Sequence, residues 1–163
     1  MKILGIDPGY GTIGFGIINK DKHKVDLVEY GSIYTPKEES VPVRLAILDA
    51  ELKKIILKYK PGAIAVEELF FGSNTTTAIK VAQARGVILL RSIKHCGLIY
   101  EYTPLQVKMA LTGAGRADKK QVQFMVKSIL NLDTIPKPDD AADALAIAIC
   151  HANTNDYSQK ILN

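Results

Sequence analysis

No apolar run in this chain is long enough to cross a bilayer, and the first one is interrupted by Asp7. Neither a membrane span nor a secretory leader is therefore expected. Cysteine is scarce as well: Cys96 and Cys150 stand far apart among apolar neighbours, without a CxxC pair, and the histidines do not cluster. That pattern disfavours zinc and fits two buried free thiols in a reducing, cytoplasmic setting. Internal repeats and low-complexity tracts are missing, and so is a strong charge of one sign: 21 Lys and Arg face 17 Asp and Glu, a net +4. What is present is ordinary for a globular domain, with 47% apolar and 23% charged residues in a chain of 163. One domain over residues 1–155 with its own core, followed by a polar tail over 156–163, is the expected organisation.

The distribution of charge says more than its sum. From Pro104 to Ser128 there are five cations, Lys108, Arg116, Lys119, Lys120 and Lys127, against one acid, Asp118. A solvated helix face accounts for Lys127. The others span a glycine-containing loop and the start of the helix after it, which suits a polyanionic partner better than solvent alone.

Three short runs rich in Ile, Val, Leu and Tyr open the chain, at 2–7, 13–19 and 25–34, punctuated by glycines and a charged turn. They predict an antiparallel meander. After the polar loop Pro36–Pro42, Leu45, Leu48, Leu52, Ile55 and Ile56 fall at helical spacing. Ala63–Val66 is a continuous apolar run after a Pro-Gly turn, the mark of a strand buried on both faces. Thr76–Lys94 reads as a largely apolar helix in which Gly86 allows close approach of a neighbour, and Leu98–Tyr102 as a strand stopped by Thr103-Pro104. Asp118 and Gln121 form a capping box ahead of another helix, and the segment from Asp139 to Ala152 is a helix apolar almost all round. The order βββαβαβαα predicts an α/β fold with a mixed five-stranded sheet and helices on both faces, the first strand lying beside the later parallel ones.

Acids stand in that apolar framework where they are costly. Asp7 ends the first strand, Glu67 follows the Ala63–Val66 strand, and Asp140 and Asp143, three apart, share one side of the last helix. An uncompensated carboxylate in such surroundings costs several kcal/mol by order of magnitude and needs neutralising or a cation. No Lys or Arg stands beside them in sequence. A hard divalent ion, Mg²⁺ or Mn²⁺, would satisfy all four together. Asp139 has a simpler use as the N-cap of the last helix, and Glu68 should face away from Glu67. Paired divalent ions about 3.5–4 Å apart can promote in-line phosphoryl displacement, and the basic stretch can hold a phosphate backbone. These are the parts of a nuclease.

The blocks IDPGYGTIGFGII, AVEELFFGSNTTTAIKVAQARGVI, TPLQVKMALTGAGRADKKQVQFMV and DDAADALAIAICH resemble, in order from Met1 to His151, those of the RuvC Holliday junction resolvases. The resemblance implies an RNase H-like fold and assigns the family's catalytic, metal-binding acids to Asp7, Glu67, Asp140 and Asp143. It also implies that Phe70 stacks on or wedges against junction bases, and that Lys108 and Lys119 act on DNA beside Arg116 and Lys120. Arg85 matches a family position with a structural or backbone-contacting role, while Glu68 stands where an uncharged Gln is frequent. Further implications are one or two Mg²⁺ per subunit with Mn²⁺ able to substitute, and a homodimer that nicks opposed strands of four-way junction DNA symmetrically. The same resemblance implies cooperation with the RuvA–RuvB branch-migration complex, a short preferred cut sequence, and work in the cytoplasm at the nucleoid. For the dimer interface, the Thr76–Lys94 helix is the candidate.

Other readings remain at this point. Asp-Pro-Gly before a hairpin also suits a phosphotransferase, but that architecture needs two such domains and 163 residues are too few. A non-catalytic junction-binding module would not need all four acids. An RNase H-like nuclease acting on RNA or other branched DNA shares the same chemistry.

Overall fold

The computed structural model describes residues 1–22, 24–69, 75–154 and 160–162. Strands β1 (Lys2–Asp7), β2 (Thr12–Asp21) and β3 (Lys24–Tyr34) form the expected antiparallel meander, and β4 (Ala63–Glu67) lies parallel to β1 on its other side. Strand β5 (Ile99–Tyr102) follows parallel to β4, and β6 (Lys160–Leu162) adds a short antiparallel edge, giving the order β3-β2-β1-β4-β5-β6. The five expected strands are thus joined by a sixth from the tail. Between and after the strands lie helices α1 (Val41–Tyr59), α2 (Thr75–Cys96), α3 (Pro104–Thr112), α4 (Lys119–Ile129) and α5 (Asp139–Asn153). Helix α3 departs from the reading of this stretch as a loop. Thr103 and Gln106 close a capping box, Pro104 starts the first turn, and Gly113 ends the helix in the left-handed region at φ 71°.

Strand alternation divides the core in two. Leu4 and Ile6 of β1 and Ile64 and Val66 of β4 pack with Leu48, Leu52 and Ile56 of α1 and Ala84 and Ile88 of α2. Ile3, Ala63 and Ala65 face the other way, into a core built with Val107, Leu111, Val122, Val126 and the buried side chains of α5. Helix α5 is enclosed between the sheet and the pair α3–α4, so 11 of its 15 residues are buried. This explains why its sequence lacks an amphipathic stripe.

Glycines determine how close α5 comes. Gly5 pairs with Gly16, and Gly14 stands opposite Asp7, across β1 and β2. A Cβ on Gly5 would sit 2.1 Å from the Ala144 carbonyl oxygen, and one on Gly14 1.9 Å from that of Asp140. A Cβ on Gly16 would meet Leu145 at 2.7 Å. The helix backbone therefore rests on a strip of sheet without side chains. Gly14 and Gly16 are packing residues within β2 rather than turn punctuation. Gly86 is the reverse: among the described residues nothing lies within 4 Å of a Cβ built there, so it provides no close approach within the chain. Gly86→Ala should stabilise the protein by about 0.5–1 kcal/mol through helix propensity alone, measurable as a higher urea midpoint at unchanged m-value.

One further expectation changes, and two hold. Asp139 is not a cap: Pro138 occupies the N-cap of α5 without a side-chain hydrogen bond, and Asp139, in the first turn, pairs with Lys137 at 2.8 Å. Arg85 has the structural role expected, through an ion pair with the buried Glu101 on the α2 side of the sheet. Glu68 lines a hollow with that pair, so it faces away from Glu67 as anticipated. Both cysteines are free, Cys150 buried and Cys96 half-buried. No helix among the described residues is long and apolar enough to cross a membrane.

Candidate active site

Asp7 ends β1 on the face that Gly5 presents to α5, and Glu67 ends β4 on the same face as Ala63 and Ala65. The parallel register continues from Ile6 and Val66, which are paired, to these two acids side by side. From across the sheet, the first turns of α5 bring Asp140 and Asp143, Asp140 being the residue whose backbone lies over Gly14. Four acids from three elements thus meet at the carboxyl edge of the sheet's central strands.

Their electrostatics reflect the crowding. Burial, then Glu67, Asp143 and Asp140, push the Asp7 carboxyl up to about 7, against a smaller opposing pull from Lys119. Glu67 is also raised, first by burial and then by Asp143, and again Lys119 opposes the shift. The Lys119 Nζ donates to Asp143 Oδ2 at 2.9 Å and lies 3.8 Å from Asp139 Oδ2. These carboxylates raise the lysine's own pKa. The acids therefore have a cation close by, 24 residues away from Asp143 in sequence, which no local pattern could reveal. Among the described residues no three Asp, Glu, His or Cys side chains converge into a ready cage for a metal ion. The donor set nevertheless fits a hard divalent cation. It consists of carboxylate oxygens, and Asp7 is held partly protonated at neutral pH by burial first and then by negative neighbours, whose repulsion such a cation would offset.

Beside the acids, Glu67, Asp143, Lys108 and Lys119 share a cleft of about 200 Å³ with Pro104, Val107, Val122, Ala146 and Ile147. Lys108 comes from α3 and Lys119 from the first position of α4, so the unforeseen helix is what turns Lys108 toward the acids. Lys120 points elsewhere, into a larger hollow of about 550 Å³ lined by Phe124, Met125 and Ile135. The acid lining that hollow, Asp118, is engaged as the α4 cap, so the larger cavity is not the chemical one. Arg116 is exposed between α3 and α4. Phe70 lies outside the described residues.

Lys108→Ala and Lys119→Ala should each lower the rate of phosphodiester cleavage by about tenfold or more, since each removes a fixed cation from the cleft. Each should also reduce the salt slope of DNA binding by about one. Single-turnover rates and a salt titration check both; an unchanged rate and slope would return these lysines to solvent-facing roles.

The family model described as crossover junction endodeoxyribonuclease RuvC matches residues 3–151. A protein of that name from Alkaliphilus oremlandii is 52% identical over 159 residues, covering 98% of this chain and 97% of the relative. One from Desulfitobacterium hafniense is 56% identical over 155 residues, covering 94% and 93%. The solved structure of Thermus thermophilus RuvC in complex with Holliday junction substrate superposes with a TM-score of 0.91 at 36% identity, covering 99% of both chains. The yeast mitochondrial Holliday junction resolvase Ydc2, at 14% identity and a TM-score of 0.67, shares the fold, with 93% of this chain and 77% of that one covered.

Proposed function

This chain belongs to the RuvC family of crossover junction endodeoxyribonucleases, and on that premise we propose that it resolves Holliday junctions by metal-dependent, symmetric nicking of two opposed strands. The observation that supports the reading most directly is the meeting of Asp7, Glu67, Asp140 and Asp143 at one sheet edge, with Lys119 bonded to Asp143. In this reading the four acids hold Mg²⁺, with Mn²⁺ able to substitute and one or two ions per subunit. When bound, the ion supplies Lewis-acid stabilisation of phosphoryl oxygens and a more acidic water.

The protein's own residues do the rest. Asp7 and Glu67 are fixed at the ends of two hydrogen-bonded strands, so their separation cannot vary with loop motion. Asp140 and Asp143 are fixed by the contact of α5 with Gly14 and Gly16. Burial and then the neighbouring acids raise Asp7 and Glu67, so an entering cation displaces protons there and offsets the mutual repulsion of the carboxylates. Lys108 and Lys119 flank the cleft and offset charge on the scissile phosphate. Arg116 and Lys120 extend the cationic surface toward the flanking backbone. Phe70 stacks on or wedges against junction bases. The enzyme works as a homodimer, because two symmetric nicks on a two-fold substrate call for two related sites. It cooperates with the RuvA–RuvB complex in the cytoplasm, at the nucleoid, and prefers a short sequence at the cut.

Labelled four-way junction, linear duplex and RNA–DNA hybrid, each incubated with Mg²⁺, test the reading. Paired nicks in the junction alone are the expected result. Cutting of the hybrid or of linear duplex at a comparable rate would instead favour a general RNase H-like nuclease. Junction binding without any cleavage would favour a non-catalytic module.

A further inference from the structure

Arg44, the most buried arginine of the described residues, has no carboxylate partner among them, while the two half-buried guanidiniums do: Arg85 pairs with Glu101 and Arg91 with Asp49. Arg44, 7% exposed in the first turn of α1, donates from Nε to Thr35 Oγ1 at 3.1 Å and from Nη2 to the Tyr10 carbonyl at 3.2 Å. Its guanidinium carbon lies 3.7 Å from the centroid of the Tyr10 ring, and the Lys80 ammonium of α2 lies 5.4 Å from the same centroid. Nη1 of Arg44 has no hydrogen-bond partner among the described residues and is not among their sealed, unsatisfied atoms. The Tyr10 hydroxyl and the Lys80 ammonium likewise make no hydrogen bond or ion pair to described residues. Hydrogen bonds to a hydroxyl and a carbonyl satisfy geometry but leave the charge uncompensated. Two cations on one aromatic ring without an acid are a binding place for an anion.

The topology gives that anion an identity. Tyr10 stands three residues beyond Asp7 in the turn between β1 and β2. Helix α1 runs back to the start of β4 and α2 leaves the end of β4, so both begin at the carboxyl edge of the sheet where the acids lie. Lys108 and Lys119 reach that edge from the α3–α5 face, whereas Arg44 and Lys80 come from the α1–α2 face.

We propose that Tyr10, Arg44 and Lys80 form a second phosphate site that holds the DNA backbone on the opposite side of the acids from Lys108 and Lys119. The site rests on the junction-cleaving reading above and adds to it a contact that fixes the strand across the edge of the sheet. A nucleotide strand lying over the acids is thereby held at two points, and the scissile phosphate is positioned between them.

The test uses the full-length protein with Ca²⁺ in place of Mg²⁺ and a salt series of junction-binding isotherms. Lys80→Gln should reduce the slope of log affinity against log salt by about 0.9. A scan of single methylphosphonate substitutions along the cut strand should find a phosphate whose neutralisation weakens wild-type binding several-fold but leaves Lys80→Gln unaffected. Arg44→Lys keeps the charge but loses the fork, and should lose the same phosphate from the scan; because Arg44 also ties the turn to Thr35, Lys80→Gln keeps the outcome decisive if that variant unfolds. The stabilisation by divalent ion should persist in Lys80→Gln, which separates this site from the acids. A wild-type slope and an unchanged scan in Lys80→Gln would overturn the proposal and leave Arg44 as an internal tie. A wild-type protein that binds junction no better than duplex would overturn the underlying reading and the site with it.

Discussion

Asp7→Asn should reduce cleavage of a four-way junction by at least about 10³-fold while leaving junction affinity in Ca²⁺ within about threefold. The substitution keeps the shape of the side chain and removes its charge at the centre of the acid cluster. The same change should make the cation-free protein more stable at alkaline pH. Asp7 in the folded protein is pushed up to about 7 from 3.8, chiefly by burial and then by Glu67. A carboxyl raised on folding contributes stability that is fully present below pH 3.8 and lost as pH rises to about 7. Asparagine does not ionise and keeps that stability. At pH 8 in EDTA, Asp7→Asn should melt roughly 5–10 °C above wild type, and the gap should close near pH 4. Added Mg²⁺ or Mn²⁺ should raise the Tm of wild type more than that of the variant. Normal cleavage by the variant, or a lower Tm at pH 8, would contradict the account of Asp7.

Gly14→Ala should be nearly as damaging to activity and far worse for stability. Its Cβ would sit 1.9 Å from the Asp140 carbonyl oxygen and 2.4 Å from the carbonyl carbon. Those are backbone atoms, which no rotamer change can move, so the start of α5 must lift from β2. Asp140 and Asp143 then leave Asp7 and Glu67. A displacement of about 1 Å is enough to cost roughly 10²-fold in rate, and overpacking of this kind should lower Tm by about 5–10 °C. Thermal melts with and without divalent ion, together with single-turnover cleavage, distinguish the two effects. A variant with full activity would mean that the close approach of α5 does not set the site.

The acids and the strands were legible because burial is costly for charge and strand periodicity is short. Asp7 and Glu67 betray themselves as carboxylates at the ends of apolar runs, and one-sided alternation settles which face they share. Lys119 beside Asp143 was not legible, since the pairing depends on how α4 packs against α5. Helix α3 was readable in principle from Thr103-Pro104-Leu105-Gln106, the same capping grammar that identified α4, but the neighbouring glycines and cations favoured a loop. Gly14 and Gly16 looked like turn residues next to Gly9 and Gly11. Only the register, which sets Gly14 opposite Asp7 and Gly16 opposite Gly5, reveals that they make room for a helix. The helix acids needed the strand acids: Asp140 and Asp143 alone read as ordinary residues at the start of a helix, and their meaning lies in the convergence with Asp7 and Glu67.

The contact between α5 and the glycine strip also governs the order in which the molecule should soften on heating. Main chain resting on main chain has no side-chain torsions to loosen, and α5 is sealed by the sheet on one side and by α3 and α4 on the other. Amides of β1 and α5 should therefore exchange with solvent at the global unfolding rate, whereas α3 and α4, with Leu105, Met109 and Phe124 exposed, should open earlier. The lysines ride on the outer layer and the acids on the inner one. As temperature rises, the grip on the substrate should fade while the arrangement of the carboxylates is still intact.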